Sequence, residues 1–396
     1  MLSAYIDYAI RNTYHVSRMT TPFYDPNLSY QENYDLGPFG MLASEPSTED
    51  MAALSTPEED WVEVGGLALR RRVGIPAGPL LNSKFTDAAF RWGYDLCHYK
   101  TVRSHFWPSH PAPNVLRVDA PRPLSPAEIG RSTLAARPFL RDEPVDLPTL
   151  SITNSFGMPA QEPEVWQADM EQAARGAGPG QALVGSVTGT PDPSGDGAAY
   201  IQDFARAAAM CAETGVHAVE VNLSCPNLGG HGLLCHDAEG AAQVCKAVKK
   251  AVSHLPLFAK IGNYAPDERG EATLRRIVEA TAPYLQGYGA VNAVPVPVMT
   301  EGGEQALPGA GRNLAGVCGA ALKATGLDVV SRLARIRAER GYEFAIIGVG
   351  GLASPADYLA YIEAGADVVQ GATGPMWNHS LAVEIALSLK LVPAHS

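Results

Sequence analysis

From about Trp61 onward the chain alternates short runs of β-branched and apolar residues with longer stretches whose apolar positions recur at helical spacing. The runs at 73–77, 97–102, 182–187, 217–223, 256–261, 288–292, 343–348 and 367–371 predict eight strands. Helices are expected between them over 82–92, 164–175, 198–213, 238–252, 271–284, 320–340 and 355–363, with a last one at 379–389. Parallel neighbours need a crossover connection, so this alternation implies a parallel sheet. Eight units between residues 61 and 396 fit an α/β fold of the closed (β/α)8 TIM-barrel kind. An open doubly wound sheet would carry a glycine fingerprint after its first strand, whereas this chain reads AGPLLN there.

Two stretches stand outside that alternation. WVEVGGLALRR, 61–71, reads as a hairpin turning at Gly65-Gly66. Residues 20–60 are rich in Pro, Asp, Glu, Ser and Thr and show little period, which predicts an irregular arm. Residues 2–14 place Leu2, Ile6 and Ile10 at i, i+4, as in a short amphipathic helix packed on the protein or at a subunit interface. The expected division is an N-terminal extension over 1–60 and a barrel domain over 61–396.

The net charge of −12 makes nucleic acid a poor partner. No stretch approaches the ~18 consecutive apolar residues of a membrane span, and the N-terminus lacks the basic start and apolar run of a secretion signal. The cysteines stand at 97, 211, 225, 235, 245 and 318, never in a CxxC pair, so no zinc or iron–sulfur site is expected, nor any other metal. A soluble, cytoplasmic protein is the expectation.

In a barrel, reactive residues belong at the C-terminal ends of strands. Those ends carry Ala77-Gly78, Lys100-Thr101, Asn222 to Asn227, Lys260, Asn292, Gly350-Gly351 and Ala372-Thr373. The turns after the last two strands offer bare backbone N–H groups suited to a phosphate. Lys100 and Lys260 at half-buried positions require a counter-charge: a carboxylate, an anionic ligand such as a flavin phosphate, or a Schiff-base substrate. Cys225 follows a strand end between two asparagines and precedes Leu228-Gly229-Gly230-His231-Gly232, a loop able to close over a pocket. The other five thiols read as small buried hydrophobes.

These residues, in this order, resemble the dihydroorotate dehydrogenase family, specifically its class 1 branch. VEVGGLALRRRVGIPAGP, NSFGMP (154–159), VEVNLSCPN (219–227), FAKIG, AVN, AGVCG, GVGG and VVQGAT carry the likeness, with VEVNLSCPN the most specific. The resemblance implies an FMN-dependent oxidoreductase of pyrimidine biosynthesis that oxidises dihydroorotate to orotate. It makes Cys225 the base, with a hydride passing to flavin N5 and Lys100 near both flavin and substrate. Asn154, Phe156, Gly157, Met158, Asn222, Asn227 and Asn292 would bind substrate. FMN would be held by Ala77, Gly78, Lys100, Thr101, Asn222, Lys260, Gly316, Gly350, Gly351, Ala372 and Thr373, with Lys260 at its N1 side. A homodimer is expected, and the electron acceptor or partner subunit is left open. Ala293 and Ala160 stand where the family usually has Ser or Thr and Asn, and Ala372 where Gly is common. Pro295 and Pro297 stiffen the chain after strand six. Fewer polar groups would weaken recognition of a highly polar ring, so a different dihydro-heterocycle or enone, in specialised metabolism, is the alternative substrate.

Overall fold

The computed structural model describes residues 21–120, 122–141, 143–192, 194–224 and 233–391. The helix expected over 2–14, the thiol of Cys225, Asn227 and the glycine-rich loop 228–232 lie outside the described residues.

Eight parallel strands close into a barrel in chain order: β1 (Val73–Ile75), β2 (Leu96–Val102), β3 (Ala182–Val187), β4 (Ala218–Asn222), β5 (Leu257–Ile261), β6 (Gly287–Ala290), β7 (Ala345–Val349) and β8 (Val368–Gln370), with β8 pairing back onto β1. Each expected strand is present, trimmed or shifted by a residue or two. Helices follow the strands over Ser83–Arg91, Pro163–Gly176, Gly197–Ala212, Ala238–Ala251, Glu268–Thr281, Lys323–Arg340 and Pro355–Glu363, and Leu381–Leu391 comes last. Several start at a side chain that accepts from the first free backbone N–H groups: Asp196, Asp237, Asp267 and Ser354.

Strand alternation sorts the barrel interior into tiers. The lowest is apolar: Leu96, Val184, Ala218, Phe258, Ile347 and Val368 pack together. The antiparallel hairpin Val62–Val64/Leu67–Leu69 closes this end, adding Val64, Leu67 and Leu69 to the same cluster. Its turn needs glycine, since Gly65 and Gly66 have φ of 57° and 86° and a Cβ on Gly65 would stand 2.9 Å from the Phe258 ring. Above that tier the interior turns polar, with His98, Glu220 and Lys260, then Lys100 and Asn222 at the mouth, all buried.

Two features differ from the sequence expectation. Loops after β2 and β6 carry a second closed sheet of five short strands, in the order Val294–Met299, Leu314–Gly319, Ser151–Asn154, Arg117–Asp119 and Leu134–Arg137. It stands over the barrel mouth. In VPVPVM the valines are buried while Pro295, Pro297 and Met299 are less so, so Pro295 and Pro297 stiffen this sheet. The stretch 21–60, expected to be irregular, also holds two short helices, Tyr30–Leu36 and Thr48–Ala53. Both begin with a capping box, Ser29 with Glu32 and Ser47 with Asp50. Four of the polar residues that read as irregular are therefore these caps, while Phe23, Tyr24, Tyr30 and Leu42 enter the core.

Candidate functional site

Two adjoining cavities open at the C-terminal ends of the strands. The larger spans about 790 Å³, part of it open to solvent, and runs from Lys260 and Asn292 to Gly350, Gly351, Ala372 and Thr373. The smaller, about 430 Å³, lies between Lys100, Thr101, Asn222, Gly157 and Met158. Ala77, Gly78, Asn154, Phe156, Asn292 and Ala293 line both, so the two chambers share one wall.

The shared wall is built by a hydrogen-bonded asparagine pair. Asn292 Nδ2 donates to Asn222 Oδ1 at 3.2 Å and to the Ser224 carbonyl at 3.4 Å, while Asn292 Oδ1 accepts from the Ala293 N–H at 2.8 Å. Asn222 Oδ1 also accepts from the Ser224 N–H at 3.2 Å, and Ser224 Oγ donates to the Lys260 carbonyl at 3.3 Å. The chain leaving β4 is thereby tied to the ends of β5 and β6 up to residue 224, one before Cys225.

Opposite this pair, residues 154–159 are clamped by two arginines. Buried Arg103 donates to the Met158 carbonyl at 3.1 Å, to the Gly189 carbonyl and to Thr190 Oγ1, with Trp107 stacked 4.7 Å away. Arg312 donates to the Ser155 carbonyl at 2.8 Å and to Ser155 Oγ at 3.0 Å. These bonds hold Met158 at a φ of 52°, a left-handed conformation that a non-glycine residue adopts only under local constraint. Met158 Sδ in turn accepts from Asn222 Nδ2 at 3.5 Å. Lys100 Nζ lies 4.8 Å from the Phe156 ring centre and 5.9 Å from that of Tyr30.

Lys260 is the electrostatic centre of the larger chamber. It is 4% exposed, and Nζ has no hydrogen-bond partner among the described residues. Burial pulls its pKa below the ordinary lysine value, and Glu220 pushes back. A buried ammonium without hydrogen bonds is costly, and it faces a cavity that could supply the missing acceptor. At the far end, Gly351 has a φ of 66°, and a Cβ there would meet the Lys323 side chain at 2.8 Å, so only glycine lets the backbone form this turn. Thr373 Oγ1 points to Cys318 Sγ at 3.7 Å.

Of the candidate residues that are described, all but Gly316 line one or both of these adjoining chambers. Gly316 lines neither chamber; it stands behind the wall, where a Cβ would meet the Asn154 carbonyl oxygen at 2.9 Å and Ala293 Cβ at 3.1 Å. Cys318 and Gly319 on the same strand line the larger chamber instead. Ala160 also lies outside both chambers, its backbone paired with Trp107. Sequence reasoning missed Tyr24, which reaches the larger chamber from the arm and meets Phe156 edge-on at 5.6 Å. It also missed the clamps Arg103 and Arg312; a buried arginine next to a strand end was the one available signal. Among the described residues no three His, Cys, Asp or Glu side chains gather as a metal site. No described helix is long and apolar enough to cross a membrane.

A closed (β/α)8 barrel with chambers at its strand ends, lined by apolar walls and a few convergent polar groups, is the architecture of a small-molecule enzyme. The dihydroorotate dehydrogenase family model matches residues 124–390. A dihydroorotate dehydrogenase of Dictyostelium discoideum is 32% identical over 369 residues, 92% of this chain and 96% of that protein. A quinone-type dihydroorotate dehydrogenase of Paracidovorax citrulli is 28% identical over 84% of this chain and 86% of its own length. The solved dihydroorotate dehydrogenase of Eimeria tenella in complex with ferulenol superposes with a TM-score of 0.65 at 16% identity, covering 89% of this chain and 90% of that one, a likeness of fold. The chain belongs to the dihydroorotate dehydrogenase family. It is accordingly an oxidoreductase acting on a CH–CH bond.

Proposed function

We propose that this protein is an FMN-dependent dehydrogenase that oxidises dihydroorotate to orotate, using Cys225 as its base in the class 1 manner. The observation that carries the reading is the buried Lys260 ammonium, without a hydrogen-bond partner among the described residues, facing a chamber that ends in the Gly350-Gly351 and Thr373 turns. That spacing suits a ligand with an electron-poor ring at one end and a phosphate at the other. Ala77, Gly78, Lys100, Thr101, Asn222 and Lys260 would hold the ring, and Gly350, Gly351, Ala372 and Thr373 the phosphate, with Gly316 backing the wall. When bound, FMN supplies a two-electron acceptor.

The chain's own residues do the rest. Asn154, Asn222 and Asn292 would present uncharged donors and acceptors to a planar, amide-rich ring, and the family resemblance assigns Asn227 the same role. Phe156, Gly157 and Met158, held by Arg103 and Arg312, fix the floor of the smaller chamber. The Lys100 ammonium at this chamber attracts a substrate carboxylate. Cys225, following Ser224 at the mouth, would take the proton from the ring carbon next to a carbonyl; a free thiol has a pKa of ~8.5, so the base must be activated locally.

Anaerobic addition of dihydroorotate to the purified yellow protein is expected to bleach the flavin band. Cys225→Ala is expected to slow bleaching by about 10²–10⁴-fold with flavin retained. A colourless protein that takes up no FMN overturns the reading. Ala293 lines both chambers where the family usually has a hydroxyl, which favours a second reading with a less polar dihydro-heterocycle or enone. Bleaching by such a compound but not by dihydroorotate selects it. The assembly is read as a homodimer, to be checked by sedimentation, and a screen of fumarate, oxygen and quinones would identify the acceptor.

A further inference from the structure

Below the chambers, the barrel interior holds a buried ionic group. Glu220 projects inward from β4, one interior tier below Asn222, and is 1% exposed. His98 on β2 approaches it from one side, Nδ1 to Oε1 at 3.3 Å. Lys260 on β5 lies on the other side. Both Glu220 Oε2 and Lys260 Nζ come within 3.3 Å of the point a Cβ on Gly289 would occupy, at 3.1 and 3.3 Å. Gly289 is the register partner of Lys260 on β6, so the missing side chain leaves an open space across which carboxylate and ammonium face each other without direct hydrogen bonding. Of the other interior groups nearby, Lys100 lies higher on β2, and β3 adds only the Ser186 hydroxyl. The strands β1, β3, β6, β7 and β8 carry no acidic or basic residue.

Each member of this group is expensive to bury alone and affordable only with the others. Burial pushes the Glu220 carboxyl up, but His98 and Lys260 together bring it below the ordinary glutamate value, so it is ionised. Its charge opposes the loss of a proton from Lys260. We propose that Glu220, oriented by His98, is a positioning residue that keeps the Lys260 ammonium charged before electrons arrive on the bound ring. This rests on the flavin reading above.

The consequence is a proton count. With Lys260 already charged, reduction of the ring takes up two electrons and one proton, leaving one negative charge that the ammonium meets. Without Glu220, the desolvated lysine is neutral beside the oxidised ring and gains its proton only when that negative charge appears. Reduction then takes up two electrons and two protons, one on the ring and one on Lys260.

The test is the midpoint potential of the FMN-loaded protein, measured by spectroelectrochemical titration across the neutral pH range. The wild type is expected to fall about 30 mV per pH unit, the value for one proton per two electrons, and Glu220→Gln about 60 mV per pH unit. A merely structural role for Glu220 would change stability and leave the slope alone. Should the glutamine variant fail to fold, Glu220→Asp keeps the charge but withdraws it by one methylene, and a slope between those two values is expected. An unchanged slope in a folded, yellow variant overturns this assignment alone. A wild type that binds no FMN overturns the flavin reading and this assignment with it.

Discussion

The two ends of the barrel are built from the same eight strands and do opposite work. At the lower end Leu96, Val184, Ala218, Phe258 and Ile347 fill the interior beneath the hairpin, with no acidic or basic side chain in that cluster. A few residues further along the same strands, the interior holds His98, Lys100, Glu220, Asn222 and Lys260. Within β5 the change takes one interior step, from Phe258 to Lys260. Apolar burial at the lower end stabilises the closed sheet, and that margin tolerates a mouth full of groups that each disfavour burial. Stability and chemistry are thus separable along the strand direction, and substitutions at the two ends should have different signatures.

The largest effect is expected at the lower end. Phe258 is fully buried, touches the Gly65-Gly66 turn and has no contact with either chamber. Phe258→Ala should cost about 3–5 kcal/mol of stability through lost transfer energy and the cavity left behind. Denaturant unfolding checks this, with the flavin of the surviving folded fraction bleached by substrate at the wild-type rate. A stable variant with impaired bleaching would erase the division between the two ends.

At the mouth the balance reverses. Asn292→Ala removes the acceptor of the Ala293 N–H and the donor to Asn222 and Ser224. Asn292 is partly exposed, so water can replace some of these bonds in the free protein, and the unfolding midpoint should move little. The asparagine pair would no longer present a fixed face to the ring, and losing one such hydrogen bond is worth roughly 1–3 kcal/mol. Steady-state kinetics should show kcat/KM lowered by about tenfold or more. Equal losses of stability and activity would count against a preformed wall.

How far this layout could be read in the sequence follows from the same contrast. Barrel strands are buried on both faces, so they appear as short continuous apolar runs between helical stretches, and all eight could be placed. Candidate residues at their ends could then be named, because strand ends in a barrel converge. The five-stranded sheet above the mouth was not legible. Arg117–Asp119 and Leu134–Arg137 are too short to show a period, and Pro295 and Pro297 interrupt the run that forms a third strand. Tyr24 was hidden for another reason. It packs into the larger chamber through tertiary contacts of the arm, and nothing in the local sequence distinguishes a tyrosine that faces a cavity from one that faces solvent.

That arm offers the smallest and most selective test. Tyr24 and Tyr30 both meet Phe156 edge-on, and Phe156 lies under Lys100, so the arm supports the mouth from outside the barrel. Its helix Tyr30–Leu36 is only two turns long and depends on its cap: Ser29 Oγ accepts from the Glu32 N–H at 3.2 Å, and a Glu32 oxygen accepts from the Ser29 N–H at 2.8 Å. Ser29→Ala removes one half of this exchange and should cost about 1 kcal/mol. The lower end of the barrel does not touch this cap, so the loss should appear as faster amide exchange confined to the arm and its contacts. If the arm braces Phe156, substrate KM should rise modestly in the same variant while global unfolding stays within error of the wild type. Exchange that quickens in the arm with KM unchanged would show that the barrel and its sheet of five strands hold Phe156 without help.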